Sequence, residues 1–168
     1  MKYTARGVPA LLLVLFFVSN NFVAGAHEIN PVPLLTIEGL GHGYSTPVVT
    51  SDRIFVTGER EGEGYLFSYD FNGTLLWKTR YGREWAANYP GSRASPAVID
   101  SAIYTCSGMG DIACFNTNTG QIQWTVNMTR DLHGVNAVFG YSMALLIEKD
   151  RIYCLPGGPY TNIACLDR

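Results

Sequence analysis

Two stretches of this sequence collect polar and aromatic side chains of the types that bind ligands. Residues 82–93 and 129–136 contain arginine, glutamate, tryptophan, histidine and asparagine. Guanidinium, imidazole and amide groups hydrogen-bond polar ligands, and loops held on a rigid scaffold often carry function. The alternative is that both stretches are solvated connectors. The residues that we predict to contact a ligand are Arg83, Trp85, Arg93, His133 and Asn136.

Known catalytic and metal-binding spacings are missing from the sequence. None of the three histidines is spaced from another histidine or from cysteine as zinc ligands are. The chain also has no nucleophile elbow and no phosphate-binding loop. A carboxylate pair for glycoside hydrolysis cannot be chosen, because distance along the sequence does not report distance in space. We therefore predict no metal site and assign no catalytic residue.

The composition is that of a globular β-protein. Of 168 residues 47% are hydrophobic and 15% are charged, and the formal net charge is −2. This hydrophobic fraction argues against wholesale disorder, and the net charge gives no reason to expect nucleic acid as a partner. The 18 glycine and 10 tyrosine residues favour short strands and tight turns over a helical bundle.

The elements that position the two stretches belong to an internal repeat. Ile54-Phe55-Val56 recurs as Ile103-Tyr104-Thr105 and again as Ile152-Tyr153-Cys154, each time 49 residues later. Each unit predicts four short strands separated by turns rich in glycine, asparagine and aspartate. In the first unit we expect the turn after the second strand at residues 62–64. Four antiparallel strands at this period describe a blade of a β-propeller.

The turn before each fourth strand carries the most specific pattern. An Asp-like residue, a glycine and a tryptophan occur as Asp70, Gly73 and Trp77, and again as Asn116, Gly120 and Trp124. The Asx side chains can accept backbone N–H groups, the glycines allow positive φ, and each tryptophan can pack between neighbouring blades. We interpret all six as structural residues.

These motifs resemble the tryptophan-docking motif of the pyrroloquinoline-quinone (PQQ) repeat family over roughly residues 44–168. The resemblance implies an all-β fold, a partial propeller with blades at about 44–82, 91–128 and an incomplete 140–168, after a lead-in at 27–43. Some members of that family resemble quinoprotein and polyvinyl-alcohol dehydrogenases, which hold PQQ and calcium on the propeller axis and use an aspartate as base. Others resemble the propeller of the outer-membrane β-barrel assembly machinery, which binds protein partners and no cofactor.

The four cysteines leave two interpretations open. Export makes disulfides possible, with three pairings of Cys106, Cys114, Cys154 and Cys165. The interpretation that we favour places Cys114 and Cys165 as small packing residues beside the docking tryptophan. No adjacent cysteine pair occurs, although some PQQ alcohol dehydrogenases carry one at the cofactor.

The function that we expect is that of an exported binding scaffold. It would bind a protein partner or a small polar ligand through its loop face, the side of the propeller that carries residues 82–93 and 129–136. The alternative is the N-terminal part of a PQQ-dependent alcohol oxidoreductase, with PQQ and calcium bound in the full-length protein. Just under three repeats are present where closed propellers have typically 4–8 blades. We therefore expect the remaining blades to come from a longer chain, and the alternative is that short chains associate into a ring. We expect no activity from this fragment alone.

The first 26 residues have the pattern of a secretory signal. Lys2 and Arg6 precede a short apolar run, and Ala24-Gly25-Ala26 form a small-residue cleavage site. The apolar run is shorter than the roughly 20 residues of a membrane-spanning helix. The pattern predicts a periplasmic or secreted protein that begins at His27. N-terminal sequencing of the exported product should read from His27, and an intact Met1 there would contradict the prediction.

Overall fold

The computed structural model describes residues 32–168, so the predicted signal and the first five residues of the lead-in lie outside the described residues. The described part is all-β, which confirms the predicted fold class. It forms three antiparallel sheets, each in chain order. The strands are β1 (Val48–Val49), β2 (Ile54–Arg60), β3 (Glu63–Tyr69), β4 (Leu75–Arg83), β5 (Ala97–Ile99), β6 (Ala102–Cys106), β7 (Asp111–Asn116), β8 (Ile122–Asn127), β9 (Leu146–Glu148), β10 (Arg151–Cys154) and β11 (Ala164–Asp167). The first sheet consists of β1–β4, the second of β5–β8 and the third of β9–β11. No helix long and apolar enough to cross a membrane is formed by residues 32–168.

The second sheet is buried on both of its faces. Ile103 and Phe115 pack against the first sheet, whereas Tyr104 and Cys114 pack against the third. These pairs alternate because successive side chains of a strand point to opposite faces. The central strands of each repeat are therefore nearly continuous runs of apolar residues, because both of their faces are buried.

Trp77 joins the first sheet to the second. Its indole N–H donates to the carbonyl oxygen of Thr117 at 3.2 Å. Its ring lies against Gly120, where a Cβ atom would approach two ring carbons to 2.4 and 2.5 Å. Thr79 adds a hydrogen bond from its hydroxyl to the carbonyl oxygen of Gly120 at 2.8 Å. The tryptophan of one repeat thus packs on the Thr-Gly turn of the next.

The turns of the docking motif are closed by Asx side chains. Asp70 Oδ1 accepts the backbone N–H groups of Asn72 and Thr74 at 2.9 and 2.7 Å, and the bond from Thr74 is the main cause that lowers the pKa of Asp70. Asn116 Oδ1 similarly accepts the backbone N–H groups of Asn118 and Thr119. Gly73 and Gly120 follow with φ values of 82° and 69°, a region that favours glycine.

The first hairpin differs from the expected turn at residues 62–64. Its loop contains only Glu61 and Gly62, with φ values of 56° and 82°, and β3 already begins at Glu63. Two-residue loops with both φ values positive match the right-handed twist of the flanking strands. Gly64 is needed for close approach instead, because a Cβ atom there would lie 2.7 Å from the Tyr81 ring.

The third sheet covers the second with one face and exposes the other. Ile152 is fully buried in the core, while Leu146, Leu155 and Ile163 are 65%, 52% and 66% exposed. Tyr153 lies at the repeat position of Tyr104 and Phe55, both of which are buried beneath a neighbouring sheet. The exposed side of this sheet is therefore the counterpart of a face that is covered in the two preceding repeats.

The cysteines are free thiols in this structure. Cys106, Cys114 and Cys154 are buried, and burial raises the pKa of each thiol. Cys114 lies opposite Trp124 in the β7–β8 ladder, as a small packing residue would. Cys165, which we also expected to be a packing residue, is exposed because it lies opposite Tyr153 on the face of the third sheet that no further sheet covers within residues 32–168.

Replacing Gly120 with alanine should destabilise the contact between the first two sheets. The new methyl group overlaps the Trp77 ring at a positive φ, so we expect a loss of about 2–4 kcal/mol in the free energy of unfolding. Gly62→Ala is the matched control, because its φ is also positive but no atom lies within 4 Å, and it should lose only about 1–2 kcal/mol. Urea unfolding of both variants measures the difference, and equal losses would contradict the docking role of Gly120.

Candidate functional site

Segments that precede the first strands of successive sheets converge on one side of the molecule. The backbone N–H of Tyr44 donates to the carbonyl oxygen of Ser92 at 2.8 Å, and Gly43 forms a parallel bridge to the same residue. The backbone N–H of Thr46 donates to Ser95 Oγ at 2.8 Å, which links two positions exactly one repeat apart. The repeat therefore places equivalent residues of neighbouring units side by side.

A cavity of about 430 Å³ opens at this convergence, and we call it the three-repeat cavity. Tyr44, Arg93 and Ser142 contribute to its wall, and they are spaced by 49 residues, the period of the repeat. Tyr89 and Phe139 complete the lining. Each of the three repeats thus supplies a side chain to one concave surface.

Arg93 is held in place by the backbone of two loops. Its guanidinium donates to the carbonyl oxygens of Asn88 and Tyr89 at 2.7 and 2.6 Å, and also to that of Phe139. These bonds join the β4–β5 loop to the β8–β9 loop. Because all three acceptors are neutral, they orient the guanidinium without cancelling its charge.

Aromatic side chains surround this cation and remain open to solvent. Tyr44, Tyr89 and Phe139 are 64%, 72% and 57% exposed. Tyr89 also has a φ of 52°, which is an outlier for a bulky side chain. Such strain clusters at functional sites, where the surrounding structure imposes it. Here the carbonyl of Tyr89 is fixed by Arg93.

Arg83 and Asn136 lie together in a second cavity of about 350 Å³, which we call the polar cavity. Asn136 donates from Nδ2 to the carbonyl oxygen of Gly108 at 3.3 Å, while its Oδ1 is buried without a partner among the described residues. Asp111 accepts a bond from Asn127 Nδ2 at 2.8 Å. The lining is Arg83, Met109, Asp111, Asn127, Thr129, Arg130 and Asn136.

Trp85 and His133 line neither of these cavities. Trp85 is half-buried between two loops, and its side chain lies within 3 Å of the Cβ positions that Gly108 and Gly140 lack. Its indole N–H is buried without an acceptor among the described residues. His133 is exposed, with a φ of 56°. The structure therefore divides the five predicted contacts among separate places, and their role in binding stays a prediction.

Glu84 is a buried carboxyl group that the sequence did not single out. It is 3% exposed and accepts bonds from the Tyr81 hydroxyl at 2.5 Å and the Gly108 N–H at 2.6 Å. Burial raises the pKa of Glu84 to about 7, with the charge of Glu59 acting in the same direction. The bonds from Tyr81 and Gly108 and the charge of Arg93 lower it in part. The residue ties the end of β4 to the β6–β7 turn of the next sheet.

The sequence patterns did not identify the aromatic residues of the three-repeat cavity as a group. Tyr44 and Phe139 lie in different loops, and nothing local in the sequence joins them. The sequence feature that could have predicted part of the lining is the 49-residue period, which relates Tyr44 to Arg93 and Ser142. Extending the repeat alignment into the loops would have identified that set.

The comparisons with known proteins agree with this architecture. The family described as outer membrane protein assembly factor BamB matches residues 23–128 and 62–162, so the chain belongs to this family of PQQ-like repeat proteins. No curated protein sequence matches the chain significantly.

Solved structures with a similar fold come from two kinds of protein. BamB from Moraxella catarrhalis superposes with a TM-score of 0.57 at 16% identity, over 78% of this chain and 39% of BamB. A quinohemoprotein alcohol dehydrogenase from Comamonas testosteroni gives 0.53 at 16% identity, over 78% of this chain and 20% of the enzyme. A europium-containing methanol dehydrogenase gives 0.50 at 16% identity, over 74% and 20%. At these identities the likeness shows the fold, and the chain spans less than half the length of each.

The three-repeat cavity does not supply the ligands of the calcium ion that the dehydrogenase resemblance implies. The three-repeat cavity offers a guanidinium and aromatic rings, but its wall contains no aspartate or glutamate. Within residues 32–168, no three histidine, cysteine, aspartate or glutamate side chains are grouped as metal ligands. Calcium takes six to eight oxygen ligands, largely from carboxylates and carbonyls.

The raised pKa of Glu84 makes folding stability depend on pH. The protonated carboxyl is favoured in the folded state, so its contribution is complete below the ordinary pKa of 4.5 and is lost as pH rises through about 7. We expect the unfolding free energy to fall by up to about 3 kcal/mol between pH 5 and pH 8 through this group.

Glu84→Gln should flatten this pH dependence while keeping both hydrogen bonds, because an amide can accept from Gly108 and donate to Tyr81. Exposed Glu148→Gln is the control and should keep the wild-type slope. Urea titrations at several pH values provide the measurement. An unchanged slope in Glu84→Gln would show that another group is responsible.

Proposed function

We propose that this protein is an exported binding scaffold whose loop face docks a protein partner in the periplasm or outside the cell. The observation that carries the proposal is the three-repeat cavity, where exposed Tyr44, Tyr89 and Phe139 surround a positioned Arg93. Tyrosine and arginine are enriched in the residues that dominate binding energy at protein interfaces. Membership of a family described as an assembly factor supports the same proposal.

The exposed face of the third sheet supports a further proposal about the complete protein. Leu146, Tyr153 and Leu155 continue the series of positions that neighbouring sheets cover in the first two repeats. We propose that a further four-stranded blade from a longer chain covers this face. The partial coverage of BamB and the dehydrogenases is consistent with that arrangement.

The alcohol oxidoreductase alternative receives support only from the shared fold. No observation within residues 32–168 favours that chemistry over partner binding. We therefore derive no reaction for this chain.

Site-specific photo-crosslinking in the native cell tests the scaffold proposal. A photoreactive phenylalanine analogue at Tyr44, Tyr89 or Phe139 should give one discrete crosslinked protein. The matched control is Phe71, which is 51% exposed but lies in the β3–β4 turn at the opposite end of the first sheet. The same adducts from Phe71, or none from the three cavity positions, would contradict the proposal.

A photoreactive analogue at a fourth position, Leu155, tests the proposal that a further blade covers the third sheet. An analogue at Leu155 should crosslink within a longer form of this polypeptide, because the proposed blade belongs to the same chain. A Leu155 analogue that forms no such internal crosslink would contradict that arrangement.

A further inference from the structure

We propose that the three-repeat cavity recognises an acidic peptide segment, in which a carboxylate pairs with Arg93 and a neighbouring apolar side chain packs on Tyr44, Tyr89 and Phe139. This inference rests on the proposed scaffold function, because it names the chemistry of the partner that the loop face would bind.

The charge of Arg93 selects the carboxylate. Its three acceptors are backbone carbonyls, and within residues 32–168 no carboxylate lies within ion-pair distance of it. Two of its five N–H groups, on Nε and Nη1, have no acceptor in this part of the chain. Charge-assisted hydrogen bonds to carboxylate are the strong ones that such a group can form.

The position of Arg93 is set before a ligand arrives. Three backbone bonds already restrict a side chain that otherwise has about 2 kcal/mol of rotamer entropy, so less is lost on binding. Buried Glu84 is near enough for its pKa to be lowered by Arg93. However, Glu84 is 3% exposed and directs its oxygens to Tyr81 and Gly108, so it leaves the guanidinium available at the cavity.

The aromatic wall selects an apolar neighbour. Tyr44, Tyr89 and Phe139 expose more than half of their surface around one concavity, and apolar surface of this kind is stabilised by burial. Tyrosine orders only two side-chain torsions on binding, so its contact area carries a small entropic cost. A peptide with a carboxylate side chain next to an apolar one matches both the guanidinium of Arg93 and the aromatic wall.

Two capped tripeptides provide the test, one of glutamate–phenylalanine–glutamate and one of glutamine–phenylalanine–glutamine. They are titrated into the full-length protein and followed by chemical shifts of backbone amides. The glutamate peptide should bind about tenfold more tightly, because a hydrogen bond to a charged group exceeds a neutral one by roughly that factor. Arg93→Gln should remove this preference, and Arg93→Lys should keep part of it.

Two further variants separate recognition from loop stability. Arg80→Gln changes an exposed arginine of β4 that pairs with Glu63 and does not line the three-repeat cavity, so it should leave the preference unchanged. The double variant Tyr44→Ser, Phe139→Ser retains the backbone acceptors of Arg93, so it should weaken both peptides about tenfold and preserve their ratio. Equal affinity of the two peptides for the wild type, or the same loss from Arg80→Gln as from Arg93→Gln, would overturn the inference.

The peptide test and the crosslinking test fail separately. Crosslinks at the cavity positions together with equal peptide affinities would overturn the acidic partner and leave the scaffold function standing. If the cavity positions gave no crosslinks and the two peptides bound equally, both the scaffold function and the acidic partner would be overturned.

Discussion

The contact between Trp77 and Gly120 is the constraint on which the arrangement of the sheets depends. A single four-stranded sheet with two apolar faces cannot cover itself, so it needs a neighbour on each side. The tryptophan reaches across to the turn of the next repeat, and the absence of a Cβ at Gly120 lets the ring approach. Its N–H to Thr117 then fixes the register between the sheets as well as their separation.

The loop face follows from this register. Once neighbouring sheets are superposed one repeat apart, the segments before their first strands must lie side by side. This is why Thr46 bonds Ser95, and why Tyr44, Arg93 and Ser142 share one cavity although they are far apart in sequence. The arrangement of side chains on the loop face therefore depends on the packing of Trp77 against Gly120, which lies at the other end of the blades.

The polar groups between the sheets divide into two kinds. Glu84 is buried and bonded on both oxygens, so its raised pKa reflects a structural contact that is sensitive to pH. Arg93 is bonded only to neutral carbonyls and keeps its charge at the cavity. The first kind joins the sheets, and the second offers a partner an unmatched charge.

The sequence alone determined the repeat, the four-stranded units and the docking motif, because these depend on local patterns that recur. Alternating side-chain direction, Asx turns at Asp70 and Asn116, and glycine at positive φ are all short-range effects. The sequence also singled out Arg83, Arg93 and Asn136, but only as polar residues in loops. Tertiary structure alone decided that Arg93 joins Tyr44 and Phe139 in one cavity, that Trp85 is wedged between loops, and that Glu84 is buried. Those outcomes depend on which loops meet when one sheet packs on the next, and no local pattern carries that information.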